Sequence, residues 1–100
     1  MYNQIYQLAS NAAFEAFEDG GLILNLNNLT LTELNHTASV ILKSTDGTND
    51  VNQVASYLEA EYEISQEQAR TDILELYQSL LEQGILEVIQ PHQKEESHDR

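Results

Sequence analysis

The chain has no cysteine, which excludes disulfides, thiolate metal sites and iron–sulfur clusters held by its own residues. It is also poor in bases: 4 Lys and Arg stand against 17 Asp and Glu, a formal net charge of −13. Nucleic-acid affinity rests on Lys and Arg neutralising phosphates, so that class of partner is disfavoured. No apolar run approaches the ~20 residues that a membrane span needs, and the first residues lack the basic region and apolar core of a secretion signal. A cytoplasmic protein is the simplest expectation.

Catalytic signatures are missing as well. There is no nucleophile context, no phosphate-cradling glycine loop and no metal-ligand spacing. Of the 3 histidines, His92 and His98 fall in a polar C-terminal stretch. His36 has Glu33 nearby in sequence, the one arrangement resembling an acid–base pair, but a lone His at a helix start is normally a surface residue. The carboxylates are scattered over helical surfaces. The chain is therefore expected to be no enzyme and to hold no metal or cofactor.

What is present is enough Leu, Ile and Val, within a hydrophobic share of 41% over 100 residues, for one modest core. Residues 1–13 have weak periodicity and stay unassigned as an N-terminal arm. Phe14 to Phe17 alternates like a short strand. Asp19-Gly20-Gly21 signals a turn, and Leu22 to Leu26 reads as a second strand. Asn27-Asn28 suits a tight hairpin, since Asn tolerates positive φ. Leu29 to Leu34 reads as a third strand, with Leu29 and Leu31 on one face and Thr30 and Thr32 on the other.

Helices follow the strands. Asn35 is a good N-cap for a helix to about Ser44 with Ala38, Ile41 and Leu42 on one stripe, and Asp46-Gly47 is read as its stop. Asn49 or Asp50 caps a second helix carrying Val51, Val54, Ala55, Leu58 and Tyr62. Ser65 with Gln68 fits a capping box for a third helix, Gln66 to Gln83, ended by Gly84. Ile85 to Ile89 is a strand or extended segment, and residues 90–100 form a polar tail expected to be disordered. The fold class is thus α+β, a three-stranded antiparallel sheet followed by three helices.

A set of short motifs runs in a fixed order through this pattern. They are Leu34-Asn-x-Thr-Ala-x-x-Ile-Leu, then Asp46-Gly47-Thr48, then Val54, Leu58 and Tyr62. Asp72-Ile73 with Leu76-Tyr77-x-x-Leu80 and the closing Gly84-Ile85-Leu86 complete the series. Together they resemble the PqqD family over Phe14 to Ile89. The resemblance implies a winged-helix domain over residues 14–89 that acts as a RiPP recognition element, binding the leader region of a ribosomally made precursor peptide. It implies a peptide chaperone in natural product biosynthesis that presents its cargo to a modifying enzyme, a radical SAM protein or a leader protease. In that family a leader peptide adds as a further strand beside the third strand and packs against the third helix.

Carried over, this gives a candidate peptide-binding surface of Leu29, Thr30, Leu31, Thr32 and Glu33 with Arg70, Leu74, Tyr77, Gln78 and Leu81. On the third helix, Ala69, Ile73, Leu76 and Leu80 form the stripe assigned to the core, while Leu74, Tyr77 and Leu81 form a second stripe beside it. Arg70, the only base of that helix, would pair with an acidic leader residue or remain a solvated charge. The Leu34-Asn35 and Asp46-Gly47 motifs are explained by a cap and a turn. The competing reading is a winged-helix scaffold or regulator that binds another protein. A homodimer through an unpaired strand edge stays open. The acidity serves solubility or steers the chain toward a basic partner surface.

Overall fold

A computed structural model describes residues 2–89; the tail expected to be disordered lies outside them. The elements in order are β1 Ile5–Leu8, β2 Ala12–Ala16, β3 Gly21–Asn25, β4 Thr30–Leu34, α1 His36–Lys43, β5 Asp46–Asp50, α2 Val51–Tyr62, α3 Gln66–Glu82 and β6 Leu86–Ile89. The fold is α+β, with a β2-β3-β4 antiparallel meander ahead of three helices and a second antiparallel sheet ordered β5-β1-β6.

In the meander, Phe14 pairs with Ile23 and Ile23 with Thr32. Period-two alternation puts Gly21, Ile23 and Asn25 of the central strand inward, where all three are buried. Gly20 and Gly21 are small because backbone passes close by. A Cβ on Gly20 would sit 2.3 Å from the Leu34 carbonyl oxygen, and one on Gly21 2.8 Å from that of Glu15. The β3–β4 connection differs from the two-residue hairpin expected at Asn27-Asn28. The loop spans residues 26–29, and the residue at positive φ is Leu29, at +60°. Leu29 thus lies outside β4. The side chains of Asn25 and Asn28 hold this loop instead: Asn28 Oδ1 accepts from the Thr30 N–H at 3.1 Å, and the Asn27 backbone N–H donates to Asn25 Oδ1 at 3.0 Å.

Asn35 caps α1 as expected, its Oδ1 accepting from the Ala38 N–H at 2.8 Å. The helix ends earlier than Asp46-Gly47, however. Ser44 is its C-cap, and Thr45 Oγ1 donates back to the Ile41 carbonyl at 2.7 Å. Asp46-Gly47 opens β5, where Gly47 takes φ +87° with Gln7 close to its α-carbon. Its positive φ falls where the β1–β5 register shifts in a β-bulge, and the turn reading is corrected accordingly.

Asp50 rather than Asn49 caps α2, and a capping box forms there: Asp50 Oδ1 accepts from the Gln53 N–H and Gln53 Oε1 from the Asp50 N–H. At α3 only half of the expected box exists. Ser65 accepts from the Gln68 N–H, but the Gln68 side chain turns forward to Asp72 at 2.9 Å. After α3, Gly84 at φ +75° allows the Gly84 and Ile85 N–H groups to reach the Leu81 and Leu80 carbonyls. That is a Schellman ending, with buried Ile85 packed at the turn.

β1 comes from within the segment that the sequence leaves unassigned as an arm. Tyr6 is its buried residue, its ring centroid 4.4 Å from that of Tyr77 on α3. The rest of the core includes Ile23 of the meander, Ile41, Val54, Leu58, Ile73 and Leu80 of the three helices, and Leu86 of β6. On α3 the inward stripe is Ala69, Ile73, Tyr77 and Leu80, with Leu76 half-buried. Tyr77 and Leu76 therefore exchange the positions expected of them.

Candidate functional site

The sheet order leaves β4 at an edge, bonded among the described residues only to β3. Its residues alternate against expectation for an edge over a core. Leu31 (62% exposed) and Glu33 face outward, while Thr32 and Leu34 face the helices. Thr32 Oγ1 donates to Gln83 Oε1 at 3.0 Å, which ties the strand to the end of α3. Asn25 reinforces that tie: buried, it accepts from Asn11 Nδ2 at 3.1 Å and donates to the Gln83 carbonyl at 3.3 Å.

At the other end of β4 the chain turns through Asn35 into α1, and there a cleft of about 430 Å³ opens. Asn35, Thr37, Ala38 and Ile41 form one wall; Asp72, Glu75 and Leu76 of α3 form the other. Asp72, Leu76, Ser79 and Gln83 fall within about 60° of one another at 100° per residue. One flank of α3 therefore runs from this cleft to Thr32, antiparallel to β4.

The α3 residues expected to bind peptide lie elsewhere. Leu74, Tyr77, Gln78 and Leu81 line a second groove, of about 380 Å³, closed by Tyr6 of β1. On the helical wheel this flank is roughly 180° from the Asp72–Gln83 flank. The structure thus brings Thr30 to Glu33 together along one edge and Leu74 to Leu81 together in one groove, but it does not bring the two sets together. Leu29 stands beyond the strand, 73% exposed. Arg70 sits farther along the second flank, its guanidinium 4.5 Å from the Tyr2 ring centroid and 3.5 Å from Asn52 Oδ1.

Tyr77 is the most constrained of these. Thr45 gives its one proton to Ile41, so the Tyr77 hydroxyl must donate to Thr45 Oγ1, at 2.7 Å. Burial pushes the phenol up to about 12. Only the ring's face toward Tyr6 reaches the second groove. At Asp46, hydrogen bonds from Thr48, side chain first and then backbone, hold the carboxyl below its usual range. His36 is tied to the Tyr62 hydroxyl through Nδ1 at 2.5 Å, an orienting contact on the surface. Among the described residues no three His, Asp or Glu side chains group to hold a metal ion, and no helix is long and apolar enough to cross a membrane.

The sequence matches the profile of PqqD, Coenzyme PQQ synthesis protein D, over residues 20–86. The chain belongs to the PqqD family. No curated protein matches it significantly. Solved structures of the same fold include three that are similar over most of their length. One is TbiB1 in complex with the TbiA(beta) leader peptide, 17% identical, covering 81% of this chain and 94% of that one at a TM-score of 0.74. A lasso peptide synthetase B1 complexed with its leader peptide is 27% identical over 82% and 96%, at 0.73. The PqqD truncation of Methylobacterium extorquens PqqCD, a stand-alone RiPP recognition element solved by NMR, is 25% identical over 83% and 88%, at 0.71. The PqqD match thus spans β3 to the start of β6 and includes the β4 edge and both walls of the α1–α3 cleft.

Proposed function

We propose that this PqqD-family chain is a non-catalytic recognition element that binds the leader region of a ribosomally made precursor peptide and presents it to a modifying enzyme. The observation that carries the reading is the unpaired β4 edge beside the α1–α3 cleft. An open strand edge supplies a row of backbone donors and acceptors, and a side cleft supplies pockets for alternate side chains, the two requirements of strand addition. Two of the solved relatives are complexes with leader peptides, and a third is a recognition element that stands alone, which supports the same role here. A radical SAM enzyme or a leader protease is the kind of partner that would receive the peptide.

In this reading the captured peptide lies along Thr30 to Glu33, with Leu29 at its end, and its inward side chains enter the cleft over Leu76, Ala38 and Ile41. The Leu74–Leu81 groove, with Arg70 beyond it, is a separate surface that the same peptide would reach only by passing around α3. Ordering a flexible leader on binding costs part of the interaction energy, so moderate affinity is expected. Hydrogen exchange tests the mode directly. With the leader segment of a ribosomally made precursor peptide from the same genome added, the outward-facing amides of Thr30 to Leu34 should slow markedly, while those of β2, the other edge of the meander, should not change. Protection confined to α3 and β1 would contradict strand addition at β4.

A further inference from the structure

The α1–α3 cleft beside the β4 edge has an apolar floor and an acidic wall. Leu76, Ala38 and Ile41 form the floor, and Asp72 and Glu75 stand on the α3 side. Among the described residues no base answers these carboxylates. Of the 4 basic residues in the chain, only Lys43 and Arg70 lie within the described part. Lys43 sits in the last turn of α1, the end away from the cleft, and Arg70 is turned to Tyr2 and Asn52 on another flank of α3. Asp72 has one neighbour, the Gln68 amide, which donates to it at 2.9 Å. The first turn of α1 also faces the cleft, through Thr37 and Ala38. Its dipole brings roughly half a positive charge, partly taken up by the Asn35 cap, against two full carboxylates. The cleft is therefore negative.

We infer that the peptide taken by this cleft carries a basic side chain, lysine or arginine, set among its inward-facing apolar residues so that it lies over Asp72 and Glu75. The inference rests on the peptide-capture reading and names the chemistry that the site selects. An anionic side chain at that position would meet Asp72 and Glu75 with no compensating base among the described residues. A neutral one would leave the two carboxylates covered by peptide and unpaired, which costs binding energy. The aliphatic stem of a lysine or arginine would lie on Leu76 while its head reaches the rim.

The test is selection of displayed random dodecapeptides on the full-length chain, repeated on a double variant Asp72→Asn/Glu75→Gln. A second double variant, Glu59→Gln/Glu61→Gln, removes the same charge from the exposed side of α2 and controls for global attraction. Wild type and the α2 control should enrich Lys or Arg at one position, spaced by two from apolar residues, and the cleft variant should not. A selected lysine peptide should bind the cleft variant about fivefold more weakly than wild type, with a difference that shrinks as salt rises. Peptides that depend on the cleft, losing binding on Leu76→Glu, yet show no basic preference would overturn this inference and leave peptide capture standing. A basic preference lost equally in the α2 control would also overturn it. Failure to select any peptide sensitive to Leu76→Glu would overturn both.

Discussion

Thr45 shows how a single side chain can hold a core contact in place. It links the Ile41 carbonyl to the Tyr77 hydroxyl, and Tyr77 in turn carries Tyr6. Thr45→Val keeps the shape but leaves a buried phenol unpaired. A loss of about 1–3 kcal/mol in urea unfolding is expected. Tyr77 also sets an alkaline limit. Its folded pKa of about 12 lies above the unfolded value of 10.0, so the neutral phenol stabilises the fold fully below pH 10. That contribution is lost as pH rises through the interval toward 12, by roughly 2–3 kcal/mol in all. Unfolding monitored by far-UV circular dichroism and tyrosinate absorbance should show one slow-titrating phenol released together with the fold, and Tyr77→Phe should remove that step. Neither role was legible in the sequence, where Tyr77 falls on the helical stripe next to the one assigned to the core. A rotation of roughly 25° separates the expected inward face from the observed one, and Thr45, the partner that draws the hydroxyl inward, is distant in sequence.

Among the elements, those whose signals are local were readable. The Asn35, Asp50 and Ser65 caps, the Gly84 ending and the alternation in β3 all come from residues within one turn or one strand of each other. The loop after β3 was not, because Asn27-Asn28 satisfies a two-residue hairpin equally well, and the longer loop wins through side-chain bonds to Asn25 and Asn28. Helix α2 ends on Glu63 in the left-handed region, at φ +57°. A side chain pays a steric cost there that glycine does not. Glu63→Gly should raise stability by about 0.5–1 kcal/mol, read as an increase in Tm without change in peptide binding. At Gly20, by contrast, the Leu34 carbonyl leaves no room for a Cβ. Gly20→Ala should force β4 and the start of α1 apart, lowering Tm and weakening peptide binding together.

For the molecule as a whole, the meander and helices could be anticipated, but the second sheet could not. β1 is four residues long, and its partners β5 and β6 lie some 40 and 80 positions away in the chain; no local period announces such a pairing, and Gly47 reads as a turn when seen alone. Tyr6→Ala should loosen this sheet and the α3 face beneath it, costing about 3–5 kcal/mol, while the meander edge stays formed. The candidate site was half legible for the same reason. The β4 edge follows from strand order within a local meander, whereas the flank of α3 that meets it depends on how the helix is rotated against distant strands. The most direct test of peptide capture at β4 is titration of a labelled leader from a precursor peptide of the same genome, with its core segment as control, against wild type, Leu76→Glu and Leu74→Glu, each checked for folding. Binding of the leader alone, lost in folded Leu76→Glu and kept in Leu74→Glu, is the expected result; loss in Leu74→Glu with Leu76→Glu unaffected would contradict the β4 edge and α1–α3 cleft as the site.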